Sequence, residues 1–306
     1  MIMKIITLLS ILAVAAGCVQ AKLPTILTPT WRVTLKVVDD AGKPVASAKA
    51  TVDYLFTNQI AGLTDTNGIF IASHRDKSFA LAFNVKKNGY YSFWQRYEMG
   101  FPEQYNEAKW NPTVQIVLKR MIKPIEMYAK WVNTKVPDLD KPIGYDLMAG
   151  DWVTPYGKGF HSDILFTGHF NYPASNESDF TLTVTFPNQK DGIQEFEETA
   201  TDKASELHSS QAAPEIGYQP EWIQTNNWKN GQPFKTNRSI NRNYYFRVRT
   251  VLDKNGNIES ALYGKIYGDF MDFRYYLNPT PNDRSVEFDQ HDLIKDLNPL
   301  DGVKEP

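Results

Sequence analysis

The chain has 306 residues, and its 33 basic residues (Lys and Arg) nearly balance its 35 acidic residues (Asp and Glu), for a formal net charge of −2. This balance argues against a general binder of nucleic acid or other polyanions and leaves only local charged patches to consider. One cysteine cannot form an intrachain disulfide, so stability has to come from buried apolar surface, and the length suits two domains of about 100 to 200 residues.

The N-terminus has the pattern of a bacterial export signal. Lys4 supplies a positive charge, residues 5–14 form an apolar run, and small residues lead to Cys18. An apolar run of about ten residues is too short for a membrane-spanning helix, which needs about 20. The pattern therefore predicts an exported protein.

The Ala-Ala-Gly-Cys sequence at 15–18 resembles the lipobox of bacterial lipoproteins, although Ala replaces the Leu that is usual three residues before the cysteine. The resemblance implies a signal peptide at 1–17, acylation of Cys18 and a tether at 18–30. Cleavage after Ala21 by the ordinary signal peptidase is the alternative, and it would remove the cysteine.

Val19 follows the cysteine, where lipoproteins retained in the inner membrane of Gram-negative bacteria carry Asp. The same resemblance therefore implies an outer-membrane lipoprotein. Its membrane partner would be bound through the N-terminal lipid, and its domains would face the periplasm or the cell surface.

Trp31 begins a strict alternation of apolar and polar residues, which predicts a half-buried strand. Similar alternation recurs at 48–56, 79–85 and 114–118. The region 31–120 is therefore predicted to be all-β.

Three turns share one pattern, in which Asp begins the turn and Gly ends it: 39–42, 65–68 and 253–256. The Asp side chain can accept bonds from backbone N–H groups, and Gly can take the positive φ of a hairpin turn. A calcium loop is the alternative interpretation, but the additional acidic ligands of such loops are missing. The pattern favours plain hairpin turns.

The sequences at 37–45, 64–70 and 87–91 together resemble the carboxypeptidase-regulatory-like domain. This resemblance implies a prealbumin-like β-sandwich over 31–120, and it carries over no catalytic residue because the matching positions are turn and core positions. Residues 92–112 depart from the family pattern and are expected to be irregular.

The region 121–306 has no resemblance to a family of known function. It nevertheless contains short alternating runs that predict a larger β-sandwich-like domain, at 164–170, 180–186, 244–250 and 258–266. The segment 202–219 is the best candidate for a helix or a mobile loop. The predicted fold class is all-β with two domains.

Catalytic motifs are scarce in this sequence, which has no Gly-x-Ser-x-Gly elbow and no Gly-rich phosphate loop. The best metal cluster would join His161 and Asp163 to Asp151 or His169, but such residues more often contact solvent or carbonyls. We therefore expect no metal and no cofactor. Carboxylates at 191–206 leave open a carbohydrate-active enzyme or its accessory subunit, which would need two carboxylates in an aromatic cleft.

The region from 218 to 247 mixes rings, amides and basic residues, as sugar sites do. The candidate ligand-binding residues are Tyr218, Trp222, Asn226, Asn227, Trp228, Arg242 and Arg247. Two other interpretations stay open. The basic residues balance an acidic strand across the sheet, or the tryptophans close one end of a sandwich.

These patterns favour a non-catalytic binding or surface-display protein over an enzyme. The expected partners are the membrane, through the N-terminal lipid, and a glycan or a cell-envelope protein. Nucleic acid is not expected as a partner.

Overall fold

A computed structural model describes residues 30–55, 58–75, 80–98, 111–133, 135–172 and 174–306. The predicted signal peptide, Cys18 and most of the tether lie outside these residues, so the export, lipidation and tether stay predictions. No helix in the described part of the chain is long and apolar enough to cross a membrane.

The prediction of an all-β fold is confirmed. In chain order, the elements are β1 (Thr30–Asp39), β2 (Lys49–Asp53), β3 (Gln59–Leu63), β4 (Ile69–Arg75), β5 (Ala80–Lys86), β6 (Phe93–Glu98), β7 (Thr113–Leu118), β8 (Ile125–Val132), β9 (Ile143–Asp146), β10 (Asp151–Trp152), β11 (Ile164–Asn171), β12 (Glu177–Thr185), β13 (Gly192–Glu197), α1 (Ala200–Ala204), β14 (Glu221–Lys229), β15 (Lys235–Thr236), β16 (Arg242–Leu252), β17 (Ile258–Asp269), β18 (Asp272–Leu277) and β19 (Phe288–Asp292).

The N-terminal strands form two sheets with the orders β4-β1-β7 and β3-β2-β5-β6. β1 pairs antiparallel with β4 and parallel with β7. Its alternating residues Trp31, Val33 and Leu35 are fully buried in one apolar core with residues of the second sheet. Part of the stretch expected to be irregular is instead the regular strand β6.

The three Asp turns have the predicted local geometry. In each, one carboxylate oxygen of the Asp accepts two backbone N–H bonds, and the Gly has positive φ. The turn at 253–256 joins the paired strands β16 and β17, but the turn at 65–68 links β3 to β4, which belong to different sheets. It therefore does not join two paired strands of one sheet, and the chain passes from one sheet to the other at this turn.

The C-terminal strands form two six-stranded sheets with the orders β10-β9-β11-β12-β14-β15 and β13-β16-β17-β18-β8-β19. A large apolar core contains side chains from both sheets. A further cluster includes Tyr245, Tyr263 and Tyr276 of the second sheet together with Ala213 and Val286. Irregular segments therefore cover the outer face of that sheet.

The segment predicted as a helix or loop begins as the short helix α1 and continues without regular structure. Ala204 at the end of α1 packs in the N-terminal core, and the Lys119 ammonium donates to the carbonyls of Leu207 and Ser209. The Tyr91 hydroxyl donates to the buried Glu287 carboxylate at 2.9 Å. Direct contacts therefore join the N-terminal and C-terminal strands, while the domain boundaries stay predictions.

Candidate functional site

The strand β14 separates the residues that the sequence groups into one segment. Trp222 is 8% exposed and packs in the C-terminal core, with its ring centroid 5.3 Å from that of Tyr244 and 5.2 Å from that of Phe270. Its indole N–H donates to Glu195. This location corrects the expectation that Trp222 stacks on a ligand, because its ring already contacts other core side chains.

The alternation of apolar and polar residues does not reveal β14, because its inner face is not an apolar series. The residues on that face are Trp222, Gln224, Asn226 and Trp228. Gln224 is fully buried, and within the described residues neither of its amide atoms has a hydrogen-bond partner. Trp228 lies near the end of the strand and is 44% exposed. Only one of the two tryptophans is therefore accessible.

The two predicted asparagines are engaged with neighbouring strands. The Asn226 amide oxygen accepts from the Thr236 hydroxyl at 2.6 Å, and the Asn227 amide donates to Asp179 at 2.9 Å. A small cavity of about 160 Å³ includes Asn227 and Trp228 in its lining. These residues lie apart from the cavity that contains Tyr218 and Arg247.

Most of the basic residues of this region have carboxylate partners. Arg242 lies opposite Glu197 across β13 and also contacts Glu195 at 2.8 Å. Arg238 pairs with Asp269. The interpretation that basic residues balance an acidic strand therefore describes Arg242, and a ligand would have to compete with two glutamates for it.

Among the described basic residues of this region, Lys235 and Arg247 have no carboxylate partner, and Arg247 lies with Tyr218 in one cavity of about 570 Å³. The Arg247 guanidinium lies 4.6 Å from the centroid of the Tyr218 ring. It donates to the carbonyls of Lys190 and Glu215. We call this space the Tyr218 cavity, and it is lined by Lys190, Glu215, Ile216, Gly217, Tyr218, Arg247, Asn257, Ile258, Tyr263, Asn282 and Arg284.

The Tyr218 cavity has an excess of positive charge. Lys190, Arg247 and Arg284 line it together with one carboxylate, Glu215. Within the described residues, no carboxylate oxygen lies within 4.0 Å of any of these three cationic groups. Arg247 is only 7% exposed, so its charge is held in a poorly solvated position.

The arginines of the cavity also influence the pKa of Tyr218. Burial raises the pKa of Tyr218, and the neighbouring Arg247 and Arg284 oppose this rise. The Tyr218 hydroxyl donates to the Pro214 carbonyl at 2.8 Å. The tyrosine is therefore a neutral, fixed ring rather than an ionisable group at neutral pH.

Backbone hydrogen bonds hold the cavity walls in place. Gln219 and Ile193 exchange bonds of 2.7 and 2.9 Å, which fix the loop before β14 against β13. The Ala213 N–H donates to the Arg284 carbonyl at 2.7 Å. Gly217 has a φ of 99°, which favours glycine at this bend. Contacts within the protein therefore fix the cavity walls.

Such a cavity can bind an anion next to an aromatic face. A guanidinium has five N–H donors, and the carbonyl bonds leave two of those on Arg247 free for a ligand. Arginine is suited to carboxylates because it can donate two parallel bonds. The rings of Tyr218 and Tyr263 and the amides of Asn257 and Asn282 add sites for apolar faces and hydroxyls.

Lys190, Arg284 and Tyr263 were missed by the sequence analysis. Lys190 precedes β13 and Arg284 follows β18, so neither is near Arg247 in the sequence. No local pattern joins them. Only the sheet order, which places β13 and β17 on either side of β16, brings these segments together.

The residues considered for a metal site lie elsewhere and have other partners. Asp163 is fully buried and contacts the Arg249 guanidinium at 2.7 Å. Asp151 accepts from the N–H groups of Trp152 and Lys158, and His161 lies 3.7 Å from Asp163. His169 is exposed on β11, at a position paired with Thr181. An arginine therefore occupies the place beside Asp163 that a cation would need.

Comparisons with known proteins identify no family for this chain. A scan against protein-family models found no match, and a search of curated proteins found none either. Among solved structures, the chain is similar to a mutant of the shaft pilin SpaA from Lactobacillus rhamnosus GG, at 13% identity and a TM-score of 0.23, over 54% of this chain and 90% of the pilin chain. A superposition this poor carries no conclusion about function. The resemblance of 31–120 to carboxypeptidase-regulatory-like domains stays a prediction.

Proposed function

We propose that this protein is an exported, non-catalytic binding protein that holds an acidic glycan in the Tyr218 cavity through the carboxylate of a sugar residue. The observation that carries the proposal is the buried Arg247, which lies over the Tyr218 ring and has no carboxylate partner within the described residues. A carboxylate would neutralise this charge, and the ring would contact the apolar face of the sugar.

Other groups favour a sugar acid over a simple anion. Asn257 and Asn282 line the same cavity, and each amide NH2 donates one bond within the protein, to Asp253 and to the Glu259 carbonyl, which leaves a second N–H for a hydroxyl group. A volume of about 570 Å³ accommodates more than one sugar ring, since ligand sites are commonly about 300 to 1,000 Å³. The one carboxylate that lines the cavity, Glu215, gives no support to a two-carboxylate glycosidase mechanism there.

The test is isothermal titration calorimetry with trigalacturonic acid and with the neutral galactose trimer of the same linkage. We expect the acidic trimer to bind and the neutral trimer to bind at least about tenfold more weakly, because only the former can pair with Arg247. The double variant Lys190→Gln/Arg284→Gln should reduce the difference. Equal binding of both trimers by the wild type would overturn the proposal.

A matched control removes the same charge elsewhere. Lys36 and Lys295 are exposed, and neither lines the Tyr218 cavity. The variant Lys36→Gln/Lys295→Gln should bind the acidic trimer as the wild type does. If it binds as weakly as Lys190→Gln/Arg284→Gln, net charge rather than the cavity determines binding.

We further propose that Cys18 carries a lipid that anchors the protein at the outer membrane, on the basis of the Ala-Ala-Gly-Cys sequence and of Val19 after the cysteine. Cys18→Ser should move the protein from the membrane fraction to the soluble fraction of the cell envelope. Intact-mass analysis that finds an unmodified N-terminus at Lys22 would contradict this proposal.

A further inference from the structure

A groove runs between the N-terminal sheet that contains β5 and β6 and the segments that follow α1 and β19. It consists of two adjoining cavities of about 640 and about 380 Å³, which share Lys86 and Ser92. We call it the junction groove. Its lining includes Lys49, Lys86, Lys87, Trp94, Lys203 and Lys304.

Two lysines of the junction groove face each other on neighbouring strands. Lys49 of β2 and Lys86 of β5 are direct cross-strand partners and are both exposed. Like charges in such positions destabilise a sheet. Within the described residues, no carboxylate lies within 4.0 Å of either ammonium group, so no ion pair in that part of the chain offsets the repulsion.

The charge of the whole groove has the same sign. Five lysines line it, and the two side-chain carboxylates in its lining are Glu206 and Glu305. Glu206 accepts a bond from the Ser92 N–H at 3.0 Å, which fixes it against the groove wall. His208 also lines the groove, and its ring contacts Glu198. An anionic occupant would therefore meet a net positive surface.

An aromatic ring lies one row away from the lysine pair on the same sheet face. Trp94 pairs with Asn84 across β5 and β6, and Asn84 is two residues from Lys86, which places all three on one face. Trp94 is 55% exposed. A ring, an amide and two ammonium groups thus lie side by side on a rigid sheet.

We infer that the junction groove binds an extended acidic polysaccharide, whose carboxylates contact Lys49, Lys86 and Lys87 and one of whose sugar rings stacks on Trp94. The ring and amide favour a sugar chain, since stacking on an apolar pyranose face and pairing with hydroxyls require both. The two adjoining cavities, of about 640 and about 380 Å³, favour a chain over a single sugar acid. The inference does not depend on the Tyr218 cavity.

The test is binding of fluorescently labelled polygalacturonate, measured by anisotropy, in the Lys190→Gln/Arg284→Gln background, which weakens the Tyr218 cavity. We expect the Lys49→Gln/Lys86→Gln change to weaken binding on the order of tenfold or more, and Trp94→Ala to weaken it as well. Raising the ionic strength from about 0.01 M to about 1 M should also weaken binding, because the Debye length falls from about 30 Å to about 3 Å.

Matched controls separate the groove from net charge and from other polyanions. Lys36→Gln/Lys295→Gln in the same background should bind as the background does. Unchanged binding by Lys49→Gln/Lys86→Gln, or equal binding of fully methyl-esterified polygalacturonate, would overturn the inference. Tighter binding of single-stranded oligothymidine of the same length would also overturn it, because the occupant would then be a nucleic acid. Equal binding of the acidic and neutral trimers in the calorimetric titration, by contrast, would contradict only the proposal for the Tyr218 cavity.

Discussion

Arg247 and Arg249 lie close together on β16 but have opposite electrostatic surroundings. Arg249 contacts Asp163 at 2.7 Å and Asp146 at 3.0 Å, and both carboxylates are buried. Arg247 contacts two backbone carbonyls and the Tyr218 ring instead. One arginine is part of a closed ion-pair cluster, whereas the other keeps its positive charge available at a cavity.

The difference arises from a bulge in the strand. The pairing of β16 with β17 shifts register after Val248, and Arg249 has a φ of 54°. A bulge redirects the side chains that follow it, so Arg249 reaches the carboxylates of the other sheet. Position on a basic stretch therefore does not identify a binding residue. The absence of a carboxylate partner is the more informative property.

The largest effect is expected when the closed cluster is broken. Arg249→Met should lower the free energy of unfolding by about 3 to 5 kcal/mol, because it leaves the buried carboxylates of Asp163 and Asp146 without the arginine that neutralises them. Urea unfolding followed by fluorescence measures this loss. A loss below about 1 kcal/mol would show that the cluster contributes no more to stability than an exposed ion pair does.

The same cluster predicts a response to acid. Burial acts to raise the pKa of Asp146, but N–H donors from Phe160, His161 and Ala149 and the charge of Arg249 lower it overall. The unfolded chain then binds a proton at higher pH than the folded chain, so this stability is present above pH 3.8 and is lost as the pH falls through the lowered pKa. Arg249→Met should lose less stability over that acid range than the wild type, and an equal loss would contradict the assignment.

Arg247→Met should have a smaller effect on stability. It removes bonds to the Lys190 and Glu215 carbonyls but leaves no carboxylate unpaired, so we expect a loss of about 1 to 3 kcal/mol. The same urea experiment measures it. A loss equal to that of Arg249→Met would mean that the two arginines have similar structural roles.

Lys265 gives a third case, because it is a fully buried lysine that contacts the Ser209 hydroxyl at 3.3 Å and has no carboxylate partner among the described residues. Its ammonium nitrogen lies 4.8 Å from the ring centroids of Tyr267 and Tyr276. Burial lowers the pKa of Lys265 well below 10.5, and the positive charge of Lys119 lowers it further. The negative charge of Glu287 acts in the opposite direction. Between the lowered pKa and 10.5 only the unfolded chain binds the proton, so stability rises with pH in that window. Lys265→Met should be more stable by about 1 kcal/mol at neutral pH and should show less of this rise as the pH approaches 10.5. An unchanged pH dependence would contradict a neutral buried lysine.

The smallest effect is expected for the exposed pair. Arg242→Met should change the free energy of unfolding by only about 0 to 1 kcal/mol, because Glu195 and Glu197 are about half exposed and water replaces their partner. Thermal unfolding by circular dichroism is sufficient to measure this. A change as large as that expected for Arg249→Met would show that pairing, rather than burial of the carboxylates, sets the energy.

The fold was predictable where apolar residues alternate, and the site was not. β1 alternates Trp31, Val33 and Leu35 with polar residues, so its location and buried face follow from the sequence. β14 was missed because it buries Gln224, a polar residue at an inner position. Trp94 was expected in an irregular stretch but lies on β6.

For the site, the sequence supplied Tyr218 and Arg247 but could not pair them with Lys190 and Arg284. Those residues meet only because separate segments pack around β16 and β17. The other basic residues of the stretch were equally plausible from sequence. Their carboxylate partners, such as Asp163 for Arg249, also come from distant strands.

The most direct test of the central claim compares binding of trigalacturonic acid to the wild type and to the matched variants Arg247→Lys and Arg242→Lys. Both changes keep the charge and remove the planar guanidinium. Because only Arg247 is held to bind the ligand carboxylate, Arg247→Lys should weaken binding about tenfold or more, whereas Arg242→Lys should leave it unchanged. Equal affinities for the wild type and Arg247→Lys, with both proteins folded by circular dichroism, would contradict the assignment of the Tyr218 cavity.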